Sequence, residues 1–200
     1  MHAKNPYEFY ETPAAFTACL HRHVEIRGRC FEPCVGAGAI VQATASARAH
    51  ATTWITNDFD QRRPASLHFD AADGWPAEIR PDWTITNPPF TRWRAIAERA
   101  IDRSAVGVAC HLRASALEVL KGHPDWWAQH RSTALIFLPR FAFQTSPTTG
   151  RWTTDSMATV WVVWHRDRSR EQLIRFAGRD TIAALTAETV GFRARYLAFA

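Results

Sequence analysis

Short β-branched apolar runs alternate with amphipathic segments along this chain, and that alternation limits the folds open to it. A strand is expected at about Arg29–Glu32, then a helix running from "PCVGAGAIV" to about Arg48. "TTWITND", "SLHFDAAD", "DWTITN" and "AVGVACHL" read as further strands, the last apolar enough to be buried on both faces. "TRWRAIAERAID" has helical period, and "ALEVLKGHPDWWAQHR" reads as helical turns broken by Gly122 and Pro124. Strands joined through helical crossovers run parallel. "TALIFLPRFAF" and "SMATVWVVWHR" have no helix between them, so an antiparallel pair at one edge is expected. The expected fold is α/β: a doubly wound, Rossmann-like, seven-stranded and mostly parallel sheet with an antiparallel last strand.

Ahead of the sheet, Thr12 reads as the N-cap and Pro13 as the first position of a helix over about 12–27. Phe16, Cys19, Leu20 and Val24 share one face of it. The residues from about 166 to 200 read as a basic, amphipathic, helical tail. Two hundred residues with neither repeat nor linker suit one domain, 1–200.

No apolar run approaches the length that spans a bilayer, and "MHAKNPYEFYETP" lacks the apolar segment of a signal peptide, so a cytoplasmic location without membrane contact is expected. The four cysteines, Cys19, Cys30, Cys34 and Cys110, show no paired zinc-site spacing and read as buried thiols; no metal is expected. The net charge of +5 is carried mostly by arginine, whose planar fork suits phosphate, although an arginine bias also follows from a GC-rich genome.

The stretch "TITNPPF" ends the fourth strand. Pro88 and Pro89 have no amide hydrogen and stop the ladder, and Pro88 holds Asn87 extended. The result is a stiff bend at a strand's C-terminal end, where ligands bind in open α/β sheets. It presents one amide side chain, a carbonyl and the Phe90 ring. A purely structural turn is the simpler reading of Asn-Pro alone. Upstream, Gly36 and Gly38 allow a tight turn and close backbone approach between the first strand and its helix, while Asp58 and Asp70 end the next two strands. Asp58 suits ribose hydroxyls and Asp70 an exocyclic amine.

In the order "FYETP", "FEPCVGAGAI", "TNDFD", "FDAAD" and "TNPPF", the chain resembles the class I S-adenosylmethionine-dependent methyltransferases from about Tyr7 to Trp164. It is most similar to their exocyclic-amino group, which includes the N6-adenine DNA methyltransferases. The resemblance implies S-adenosylmethionine as cofactor and Asn87, Pro88, Pro89 and Phe90 as the catalytic motif. It implies that Tyr10, Thr12, Pro13, Glu32, Pro33, Gly36 and Gly38 face the cofactor's methionine end. Asp58 would bind ribose, Phe59 would pack on the cofactor's adenine and Asp70 would bind its amino group. Phe141, Phe143, Trp152 and Arg92 become the substrate-binding candidates, with core packing the competing role for the aromatics.

The chemistry fits the residues. An adenine amino nitrogen is a poor nucleophile because its lone pair is delocalised. Two acceptors aimed at its hydrogens, the Asn87 side-chain oxygen and the Pro88 carbonyl, favour a localised lone pair. The expected activity is methylation of adenine N6 in DNA by base flipping, with relaxed or short-target specificity. The chain has no segment long enough for a separate target-recognition domain, so a partner or a dimer is expected to supply recognition. The alternatives are an rRNA adenine or guanine amino methyltransferase, a glutamine methyltransferase acting on a translation factor, and a non-catalytic nucleic-acid-binding subunit.

Overall fold

The computed structural model of the chain describes residues 10–46, 52–118, 124–139, 142–145, 152–154, 158–167, 169 and 172–196. Helix α1 (Ala14–His23) buries Phe16, Cys19 and Leu20 on one face, as their spacing predicts. It begins one residue later than expected. Pro13 is the N-cap, and its carbonyl accepts from the Phe16 and Thr17 amides at 2.9 and 3.4 Å. Thr12 makes no cap; it is buried beside the cleft described below.

The sheet follows as β1 (Gly28–Glu32), β2 (Thr52–Thr56), β3 (Trp83–Thr86), β4 (Gly107–Arg113), β5 (Ala134–Leu138), β8 (Thr159–His165) and β9 (Leu173–Phe176). Helices α2 (Ala39–Ser46), α3 (Trp93–Arg103), α4 (Pro124–Gln129) and α5 (Arg179–Tyr196) accompany it, and β6 (Ala142–Thr145) pairs with β7 (Trp152–Thr154) as a separate hairpin. The seven strands lie in the order β2-β1-β3-β4-β8-β5-β9. All neighbouring pairs are parallel except those of β8, which runs antiparallel to both β4 and β5. A Rossmann-like sheet of seven mostly parallel strands is therefore present.

Three details depart from the sequence reading. "SLHFDAAD" forms no strand; its one ladder contact is a parallel bridge between Asn57 and Leu67. The Asn57 side chain takes both backbone groups of Phe69, which removes them from any ladder. The seventh strand is instead β9, inside the segment expected to be helical: the free edge of β5 offers backbone partners that local sequence cannot register, and the helical part of the tail begins only at α5. The antiparallel strand is neither at the edge nor last. "TVWVVWH" is buried on both faces, which suits a central position between β4 and β5.

Alternation along the strands divides the core into two layers. Ile85, Ala109, Ile136 and Trp161 pack under α1 and α5 with Phe16 and Leu20. Val108, Cys110, Leu112, Val160 and Val162 pack on the other face with Trp126 of α4 and Ala97 of α3. Full burial of a side chain such as Phe16 or Leu20 contributes roughly 1.5–3 kcal/mol. The two layers hold β1, β3 and β4 level, with Phe31 opposite Thr84 and Thr86 opposite Cys110. That register brings four strand ends to one edge. Among the described residues, no helix is long and apolar enough to cross a membrane.

Candidate active site

At the C-terminal edge of β1, β2, β3 and β4 lies a cleft of about 820 Å³, within the size range of small-molecule sites. After β1 the chain turns through Gly36 (φ 55°) and Gly38 (φ 82°), left-handed conformations that cost an L-residue about 1–2 kcal/mol. The Gly38 carbonyl then accepts from the Gln42 amide to start α2. Asp58 closes this loop from β2: its Oδ2 accepts from the Gly36 amide at 2.8 Å and its Oδ1 from the Asp60 amide at 2.9 Å.

Behind Asp58 sits Asn57, fully buried and unassigned by the sequence reading. Its Nδ2 donates to the Pro33 and Phe69 carbonyls at 2.9 and 3.0 Å, and its Oδ1 accepts from the Phe69 amide at 2.9 Å. Its backbone joins Glu32 and Val35. One side chain thus braces three segments of the cleft wall. Its position at the C-terminal end of β2, in "TND", was the available signal.

Glu32 ends β1 with 2% exposure and lines the cleft; its Oε2 has no partner among the described residues. Burial, reinforced by the Asp58 carboxylate, raises its pKa well above the ordinary glutamate value. Burial, reinforced by the same carboxylate, raises the pKa of Cys34, also in the cleft, which disfavours a thiolate there.

The proline bend after β3 places Asn87 and Pro89 in the cleft wall, with Pro88 buried behind them. The Pro89 carbonyl accepts from the Arg92 amide at 2.9 Å, a turn that leads into α3. No donor among the described residues pairs with the Pro88 carbonyl. Asn87 Nδ2 donates to the Tyr10 carbonyl at 2.9 Å. A carbonyl can only accept, so the amide orientation is fixed and Oδ1 is the end left to receive a ligand's hydrogen.

Phe90 is less open than the motif implied. It does not line the cleft; Tyr10 lies against it at 5.5 Å between ring centroids, and the Arg113 guanidinium stands 3.9 Å above its centre. Arg113, at the end of β4, lines the cleft and was also missed, although a strand's C-terminal residue is where such a group belongs.

The structure gathers Tyr10, Thr12, Glu32, Pro33, Gly36, Asp58, Phe59, Asp70, Asn87, Pro89 and Arg92 around this one space. Phe59 is 65% exposed at its rim. Pro13 and Gly38 shape adjoining turns without lining the cleft. Two residues assigned to different tasks are joined: Arg92 Nη1 lies 3.2 Å from Asp70 Oδ2, and its Nη2 donates to Asp73 at 2.8 Å. Asp70 Oδ1 accepts from the Ala72 amide, so both of its oxygens are engaged within the protein. Phe141 lies outside the described residues, as do the side chains of Phe143 and Trp152.

No protein-family model matches the sequence, and no curated protein matches it either. Solved structures do match. The methyltransferase subunit of a type I restriction-modification system from Streptococcus thermophilus is similar with a TM-score of 0.62 and 14% identity, over 90% of this chain and 53% of that one. This chain therefore spans about half the length of that subunit. A putative RNA methyltransferase from Pyrococcus horikoshii gives 0.57 and 18% over 80% of this chain and 90% of that one. A predicted O-methyltransferase from Agrobacterium tumefaciens gives 0.54 and 13% over 88% and 96%. What this chain shares with these methyltransferases is their Rossmann-like fold.

Proposed function

We propose that the protein is an S-adenosylmethionine-dependent methyltransferase acting on the N6 amino group of adenine in DNA, with short or relaxed target specificity. The observation that carries this reading is the Asn87 amide, tethered through Nδ2 so that Oδ1 is offered as an acceptor beside the Pro88 carbonyl. A rigid acceptor pair suits an N–H₂ substrate, whose two hydrogens it can receive.

The cleft fits the cofactor on its chemistry. Glu32 is a buried carboxyl with an unpartnered oxygen, suited to a cationic ligand, and exposed Phe59 offers a face for an adenine ring. Asp58 retains lone pairs for ribose hydroxyls beyond its two amide donors. Arg92 screens Asp70, so an amine of the cofactor has to share that carboxylate with the ion pair. Bound S-adenosylmethionine would supply an electrophilic methyl group, its S–CH3 bond breaking as the N–CH3 bond forms and leaving a neutral thioether.

Asn87 Oδ1 and the Pro88 carbonyl accept the two hydrogens of the substrate amino group and draw its lone pair out of conjugation. As the N–C bond forms, the nitrogen becomes cationic and both contacts strengthen, so their effect falls on the transition state. Asn87, a neutral amide, takes no proton; the surplus proton leaves to water after transfer. Phe90, which carries the Arg113 guanidinium on one face, is the candidate stacking surface for the extruded base; such stacking is worth about 1–3 kcal/mol.

The net charge of +5 supports a polyanionic substrate, and the likeness to a restriction-modification subunit supports DNA together with a partner or second copy for target recognition. RNA adenine is the second reading, favoured by the coverage of 90% of the putative RNA methyltransferase against 53% of the restriction-modification subunit. The test is incubation with methyl-labelled S-adenosylmethionine and DNA, rRNA or a translation release factor, followed by nucleoside and peptide analysis. N6-methyladenine in DNA is expected. Methylated guanine or glutamine as the sole product overturns the proposal.

A further inference from the structure

Arg113 is a cation placed where an aromatic face is needed. Its guanidinium stands 3.9 Å above the centre of Phe90, with the Tyr10 ring at 6.0 Å. Its Nε is buried, and no hydrogen-bond partner for it exists among the described residues. Phe90 itself does not line the cleft, whereas Arg113 does together with Asn87. The guanidinium thus covers one face of Phe90 and is itself part of the cleft wall.

We propose that Arg113 is a phosphate-binding gate for the target nucleotide. It covers Phe90 at rest and leaves the ring for a backbone phosphate of the nucleic acid when the base takes its place. The inference rests on the reading of Phe90 as the base-stacking residue. Two observations carry it. The guanidinium occupies one face of Phe90 at stacking distance, and a base that stacks on that face displaces it. Its buried Nε lacks an acceptor among the described residues, and a phosphate that binds a guanidinium through two parallel N–H···O bonds supplies one. The exchange also discriminates between substrates. A nucleotide that brings a phosphate compensates Arg113 for leaving Phe90, whereas a glutamine side chain or a free nucleoside does not.

Two binding experiments test this with Arg113→Gln, which removes charge but keeps most of the stem, and with Arg113→Lys, which keeps charge. The first is salt titration of a fluorescein-labelled, adenine-containing single-stranded oligonucleotide, read by anisotropy. Loss of one phosphate contact is expected to reduce the slope of log K against log salt by about 0.7 in Arg113→Gln and to leave it unchanged in Arg113→Lys. The second is binding of 2-aminopurine nucleoside, which carries no phosphate, read by its fluorescence. Freeing the ring in Arg113→Gln is expected to tighten this binding roughly two- to five-fold, the range of a partly exposed cation–π contact. Opposite signs on the two probes are a result that a merely structural role does not give.

An unchanged salt slope in Arg113→Gln overturns the gate, as does weaker binding of both probes. Weaker S-adenosylmethionine binding by calorimetry assigns the guanidinium to the cofactor and overturns it as well. Wild-type protein that binds the oligonucleotide with the expected slopes but methylates no adenine defeats the catalytic reading alone. Wild-type protein that binds no oligonucleotide defeats both.

Discussion

Asn87 and Tyr10, 77 positions apart in the chain, are joined by a 2.9 Å hydrogen bond from the Asn87 Nδ2 to the Tyr10 carbonyl. The bond orients the amide and ties the segment before α1 to the bend after β3. Asn87→Ala is expected to lower kcat about 10²–10³-fold, the usual effect of losing one preorganised electrostatic contact. S-adenosylmethionine affinity, read by calorimetry, should stay near wild type. Normal turnover by the variant would leave the proline bend as a turn and nothing more.

Asn57→Ala tests the brace beneath the cleft. The variant loses three side-chain hydrogen bonds and leaves the Pro33 and Phe69 backbone groups without them. A buried group left unsatisfied costs about 1–3 kcal/mol. For a chain of this size, each 1 kcal/mol lowers Tm by roughly 2–4 °C. Cofactor affinity should fall as well, because Asp58 and the Pro33 turn lose their common support. A wild-type melting curve would remove Asn57 from that role.

Asp58→Ala removes the acceptor of the Gly36 and Asp60 amides together with the proposed ribose contact. Hydrogen bonds to a charged acceptor contribute about 1.5–3 kcal/mol, so a ten- to hundred-fold loss of cofactor affinity is expected by calorimetry. Unchanged affinity would place the ribose elsewhere.

Glu32 carries a pH signature of known sign. Burial and the Asp58 carboxylate raise its folded pKa above the unfolded value, so the folded state holds the proton more tightly. Its contribution to stability is therefore lost as pH rises from the ordinary glutamate range through the raised pKa. Glu32→Gln, permanently neutral, is expected to melt above wild type at neutral pH. Binding of the cationic cofactor should favour the carboxylate and release a proton, a signal that calorimetry in buffers of different ionisation enthalpy detects and that Glu32→Gln should lack.

His111 of β4 is buried between Phe16 and Trp161, with ring centroids at 5.8 and 5.0 Å, and neither ring nitrogen has a partner among the described residues. Burial lowers its pKa to about 3. The unfolded chain takes up the proton first, so stability falls as pH drops through about 6.5 towards 3. Between pH 7 and 5.5 this amounts to about 1 kcal/mol, or roughly 2–4 °C in Tm. His111→Phe should remove this share of the acid sensitivity, leaving that of His21, whose pKa burial lowers to about 4. Equal acid sensitivity in the variant would mean that His111 does not titrate with unfolding.

By itself, the sequence determined where the chemistry sits along the chain. Gly36, Gly38, Pro88 and Pro89 act on their own backbone, and Ile85, Val108 and Trp161 follow a period of two, so loops and strands are legible from neighbours alone. The ends of β1, β2 and β3 and the residues that follow them were readable for that reason. Tertiary structure decided the remainder, because each case depends on a partner remote in sequence. β9 pairs along the free edge of β5, and in "SLHFDAAD" the ladder stops after Leu67, where Asn57 takes both backbone groups of Phe69. Arg92 turned to Asp70 and Asp73, and Arg113 settled on Phe90 across 23 positions of chain. Side-chain period and turn chemistry are local properties, whereas the partner of a long cation or of an unpaired strand edge is chosen only when the chain closes on itself.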